Sequence, residues 1–180
     1  MSIDNIAVHD GLRVRLASLP GFREVPVQPR ILIADDHDIV RHGIRGTISR
    51  MRPAWEICGE VSNGKDAVDA VQNLNPDVVI LDVTMPIMGG LEAAQHIAKL
   101  GLPSRILIFT MHESARMSHD VLKAGAHGYV NKSEASRDLI AALDALLAGG
   151  TFGLQGLEVD EPKKETDPNS PTFFRVFAFS

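Results

Sequence analysis

Residues 78–93 read VVILDVTMPIMGGLEA. Apolar residues run to Leu81 and end in a lone carboxylate, Asp82. Pro86, Gly89 and Gly90 then break the strand-like pattern. A carboxylate at the end of a buried run is costly unless it is paired or holds a cation. From this stretch alone, a helix cap or a turn aspartate is the commonplace alternative. The choice depends on what else the fold delivers to the same place.

Outward from this stretch, short apolar runs alternate with helical periodicity. RILIA (30–34) reads as a buried strand, and residues 38–51 as a helix with Val40, Ile44, Thr47, Ile48 and Met51 on one face. WEICGEV (55–61) is a strand, and 64–74 a helix with Ala67, Val68, Val71 and Leu74 facing inward. The pattern continues with strands at 77–81, 105–110 and 127–130. Helices are expected at 91–100, 114–123 and 135–148, the last with Leu139, Ile140, Leu143, Leu146 and Leu147 toward the core. The runs are apolar throughout rather than alternating, as in a sheet covered on both faces. Five β–α units in succession imply a doubly wound parallel sheet with right-handed crossovers.

Composition narrows the function classes. With 18 basic and 23 acidic residues the formal net charge is −5, which argues against a strongly basic nucleic-acid-binding surface. The single cysteine, Cys58, cannot close an internal disulfide, which suits a reducing compartment, and its neighbours favour a buried thiol over a nucleophile. No run approaches the roughly 18 apolar residues of a membrane span, and no signal-peptide pattern opens the chain, so a cytoplasmic location is expected. Residues 1–29, punctuated by Pro20, Gly21, Pro26 and Pro29, read as a flexible N-terminal arm; 30–150 as the folded domain; and 151–180 as a linker with a short aromatic tail, FFRVFAFS.

In a parallel sheet every strand delivers its C-terminal end to one edge, where ligands bind. The first strand ends in Asp35-Asp36, the third in Asp82, which is expected to lie exposed at this edge, and the fourth in Thr110; Lys132 follows the fifth. Three carboxylates repel one another unless a cation joins them, and hard oxygen donors suit Mg²⁺. A cation, an ammonium and a hydroxyl around a carboxylate suit in-line phosphoryl transfer onto a carboxylate oxygen.

ILIADDHDIVRHGI, VVILDVTMPIMGGLEA, ILIFTMH and LKAGAHGYVNKSEA together resemble the receiver domain of two-component response regulators, of the NarL/FixJ (LuxR) type, over residues 30–150. The resemblance implies a flavodoxin-like fold with strand order 2-1-3-4-5. It implies phosphorylation of Asp82 by a histidine kinase or phosphotransfer protein. Mg²⁺ would be held by Asp36, Asp82 and the Thr84 carbonyl, with Asp35 acting through water. Thr110 and Tyr129 would form the switch pair, Lys132 would contact the phosphoryl group, and Thr84 and His112 would tune its lifetime. His37 and His42 are read as polar surface groups, and Met85, Met88, Met111 and Met117 as packing and loop residues.

The sequence departs from that family after Gly150, where 30 residues lack an amphipathic helix pair of helix-turn-helix type. DNA binding by this chain is therefore not expected, and output by protein contact, including self-association, is. A truncated remnant of a transcription regulator and a phosphate sink without output are the alternatives. An aspartate-nucleophile phosphatase of haloacid dehalogenase type is suggested only by Asp82-Val83-Thr84.

Overall fold

The computed structural model describes residues 28–111 and 115–154. Strands β1 (Arg30–Ala34), β2 (Glu56–Val61), β3 (Val78–Asp82), β4 (Arg105–Thr110) and β5 (Gly128–Asn131) alternate with helices α1 (Asp38–Met51), α2 (Gly64–Leu74), α3 (Gly90–Lys99), α4 (Ala115–Lys123) and α5 (Ala135–Leu147). The strands form one parallel sheet in the order β2-β1-β3-β4-β5. This is the doubly wound order expected.

Both faces of the sheet are apolar because successive residues of each strand serve opposite layers. Ile31, Ile33, Val78, Ile80, Leu107 and Phe109 pack with Ile44 and Ile48 of α1 and Leu139, Leu143 and Leu146 of α5. Leu32, Ala34, Val79, Leu81, Ile106 and Ile108 pack with α2, α3 and α4 through Ala67, Val71, Ala93, Ala94, Ile97 and Val121. Each fully buried Leu or Ile contributes roughly 1.5–3 kcal/mol relative to exposure, so the two layers account for the continuous apolar runs.

Local chemistry sets the element ends. The Asn63 side chain accepts the Asp66 amide at 2.8 Å and caps α2, while Asn75 closes it in the left-handed region at φ 47°. The third strand is displaced by one residue from expectation. Asp77 does not extend it: its carboxylate accepts the Arg30 amide at 2.9 Å, and the ladder instead takes in Asp82, opposite Phe109. Met51, expected on the packed face of α1, is exposed because the helix ends there, while Met111 is an exposed loop residue just past β4. Cys58 is half-buried, its Sγ 3.4 Å from the Ile31 carbonyl oxygen, and burial pushes the thiol up.

Past α5 the chain turns back to the sheet. Phe152 forms a parallel bridge with Gly128, so the outer edge of β5 is paired there. Among the described residues no helix is long and apolar enough to cross a membrane. Most of the expected arm and tail, residues 1–27 and 155–180, lies outside the described residues.

Candidate functional site

The carboxyl ends of β1, β3 and β4 and the turn after β5 converge as parallel topology requires. Asp35 and Asp82 are buried, and the Lys132 ammonium lies between them, 2.7 Å from Asp35 Oδ2 and 3.0 Å from Asp82 Oδ1. Only charge holds the Asp35 side of this pair, since no hydrogen bond of good geometry reaches Oδ2. Lys132 opens a 3-10 turn, Lys132–Glu134, whose start is capped by the Asn131 side chain accepting the Ser133 amide at 2.9 Å. Its ammonium also lies 5.8 Å from the centre of the Phe109 ring.

Asp82 was expected to be exposed at the edge. It is instead buried, with Lys132 against its carboxylate, and the loop after it folds back over its backbone. The Gly90 amide donates to the Val83 carbonyl at 3.0 Å, and a Cβ on Gly90 would collide with the Asp82 carbonyl oxygen. Only glycine admits that approach. Burial pushes the Asp82 carboxyl up from its ordinary range. The hydrogen bond and charge of Lys132 pull it back, Asp35 adds to the rise, and the Thr84 backbone N–H pulls it down. Thr84 itself is exposed.

Asp36 lies on the open side, its side chain 32% exposed. One ligand atom from each of Asp35, Asp36, His37 and Asp82 lies within 4.8 Å of the others. The oxygen donors are of the type Mg²⁺ takes, and the partial exposure of Asp36 leaves room for the waters it keeps. His37, read from the sequence as a plain surface group, belongs to this cluster: Nδ1 is 2.8 Å from Asp36 Oδ1 and 3.3 Å from Asp35 Oδ1. Its position directly after the acidic pair was the available signal.

Arg41 was also missed. Its Nη1 donates to the Asp35 carbonyl oxygen at 2.7 Å, and its Nε lies 3.4 Å from Glu60 Oε2, tying the acidic turn to β2. One helical turn from the acidic pair, it faces back along α1 toward that turn.

Thr110 is buried at the end of β4, in register with Asn131. Tyr129 is half-buried and in register with Ile108, so it lies on the same sheet face as Thr110, two residues along. His112 lies outside the described residues.

The sequence matches the response regulator receiver domain over residues 31–144. The chain belongs to that family. Its relatives include the nitrate/nitrite response regulator protein NarL of Escherichia coli (strain K12), 37% identical over 119 residues, which are 66% of this chain and 55% of NarL. The response regulator UvrY of the same strain is 33% identical over 144 residues, 77% of this chain and 66% of UvrY. The receiver thus spans little more than half the length of NarL. Among solved structures, a LuxR-family two-component response regulator from Aurantimonas sp. SI85-9A1 superposes with TM-score 0.66 at 40% identity, covering 69% of this chain and 89% of that one. The signal receiver domain of the putative response regulator NarL from Mycobacterium tuberculosis gives 0.65 at 27% identity, covering 69% and 99%. Membership in the receiver family places the chain in two-component signalling and displaces the haloacid dehalogenase alternative.

Proposed function

We propose that this receiver accepts a phosphoryl group on Asp82 from a histidine kinase or phosphotransfer protein and signals by protein contact. The observation that carries this reading is the shared ammonium: Lys132 holds Asp35 and Asp82 together, while Asp36 remains open beside them. An Asp82 oxygen attacks phosphorus, the phosphorus–nitrogen bond of the donor phosphohistidine breaks, and the departing imidazole nitrogen keeps the electron pair and takes up a proton. Lys132 remains within reach to pair with a phosphoryl oxygen, and the Thr110 hydroxyl donates to another. Bound Mg²⁺, held by Asp36, Asp82 and the Thr84 carbonyl with Asp35 through water, would neutralise charge on the transferring group. Thr110 and Tyr129 would pass the event to the surface, and Thr84 and His112 would set its lifetime. The receiver catalyses only its own modification.

The surround of the site favours a protein donor. Ile39, Ile87 and Met111 are large exposed apolar side chains on the segments that follow β1, β3 and β4 at the acidic edge, and we read them as contacts for that donor. Ile87 also has φ 69°, an uncommon conformation for a β-branched residue and one that costs on the order of 1–3 kcal/mol. We read residues 30–150 as the receiver, flanked by an arm and a tail, acting in the cytoplasm.

Acetyl phosphate with Mg²⁺ should add one phosphoryl mass to the intact chain. Asp82→Asn should abolish the adduct, since an amide is a poor nucleophile, and Asp36→Asn should slow its formation. An adduct that persists unchanged in the Asp82→Asn chain would refute the assignment.

A further inference from the structure

The chain after α5 does not leave the domain. Gly149 turns at φ 86°, and its carbonyl oxygen accepts from Arg105 Nη2 at 3.1 Å. The Phe152 amide then donates to the His127 carbonyl at 3.2 Å, and the Tyr129 amide donates to the Phe152 carbonyl at 3.0 Å. Leu154, 8% exposed, enters the apolar cluster that holds Val121 of α4 and Ala126, against which Tyr129 also packs.

Two glycines make this seat possible. A Cβ at Gly128 would lie 2.9 Å from the Phe152 carbonyl oxygen. A Cβ at Gly153, where φ is 73°, would lie 2.6 Å from the Tyr129 carbonyl oxygen and 3.1 and 3.2 Å from its ring carbons Cδ1 and Cε1. The Tyr129 ring therefore lies directly against the returning segment.

We propose that Thr151–Leu154 is a latch closed on the outer edge of β5, and that phosphorylation of Asp82 opens it by drawing the Tyr129 ring away from Gly153. The coupling rests on the phosphoacceptor reading above. Closed, the latch pairs the open strand edge and anchors everything C-terminal to Gly150. When the ring moves, Gly153 loses the surface it rests on, and two hydrogen bonds, the packing of Phe152 against the α1–α5 layer and one buried leucine remain to hold the segment. Such a short segment belongs to the low-stability end of a fold, where local opening is easiest. The signal then reaches the chain beyond the latch as a change in its attachment.

Amide hydrogen exchange on the full chain tests this, with beryllofluoride and Mg²⁺ as the phosphoryl mimic and fluorine NMR to report its binding. The Tyr129 and Phe152 amides, donors of the two latch bonds, should exchange about tenfold faster with the mimic bound, a change of about 1.4 kcal/mol in opening. Gly153→Val should give fast exchange at both amides without the mimic, while β1 and β3 amides stay protected. Gly153→Ala is the milder substitution should the valine chain fail to fold. Bound beryllofluoride with unchanged Tyr129 and Phe152 exchange overturns the latch and leaves the phosphoacceptor reading intact. No bound beryllofluoride overturns that reading and the coupling with it. Slow exchange in both Gly153 variants overturns the seat itself.

Discussion

Lys132 is the residue on which the site depends before any cation binds. Two buried carboxylates share its ammonium, so removing it leaves like charges enclosed without a counter-ion. Breaking a buried pair in this way costs about 3–5 kcal/mol. Lys132→Ala should therefore lower urea stability by about 3 kcal/mol in metal-free buffer, and Mg²⁺ should restore part of the loss. A loss as small as a surface ion pair's, under about 1 kcal/mol, would mean that water already screens the two acids. The sequence placed Lys132 near Asp82 because parallel strands bring their ends together. It could not show that Asp82 is buried, since burial depends on contacts between segments far apart in the chain, such as that with Lys132. Nor could it reveal the Phe109 ring beside the ammonium, because Phe109 reads as one more apolar residue in RILIFT.

At the scale of elements, β4 and β5 are clasped at the end away from the site by His127. The Ile106 amide donates to its Nδ1 at 3.1 Å, and its own amide donates to the Ile106 carbonyl at 2.8 Å. Burial, with the Arg105 charge adding to it, lowers the imidazole below its ordinary value near 6.5. The unfolded chain thus binds this proton more readily than the folded one. The stability His127 contributes is present above about pH 6.5 and is lost as pH falls through the lowered folded value. Urea midpoints should fall between pH 7 and pH 5. His127→Asn, which keeps an acceptor for Ile106 but does not titrate there, should flatten that slope; equal slopes in both chains would remove His127 as the cause. Helices and strands were legible nearly to the residue because their periodicity is set by burial on one face or on two. Errors arose where a side chain made a tertiary bond, as Asp77 does to Arg30, or where a helix simply ended, as at Met51.

For the whole molecule, the acidic edge links cation binding to folding. The unfolded chain has no preformed cluster, so Mg²⁺ should stabilise the folded receiver by about 2.7 kcal/mol at a hundredfold excess over its dissociation constant. Thermal scans against Mg²⁺ concentration measure this, and Asp36→Asn should suppress the shift. A midpoint independent of Mg²⁺ in the unaltered chain would mean the cluster binds no cation under those conditions. The sheet order also bears on how the receiver comes into being. No two neighbouring strands are joined by a hairpin: β1 pairs with β3 across the excursion through α1, β2 and α2. Every rung therefore closes a long loop, the entropy of which is lost before the rung forms, and such topologies fold slowly. Asp35, Asp36 and Asp82 all leave the ribosome before Lys132, so the centre of the sheet brings repelling acids together while their counter-ion is still unmade. For a nascent receiver, a divalent cation or late closure by β5 is what relieves that repulsion, and the last strand to be made completes the electrostatics of the first.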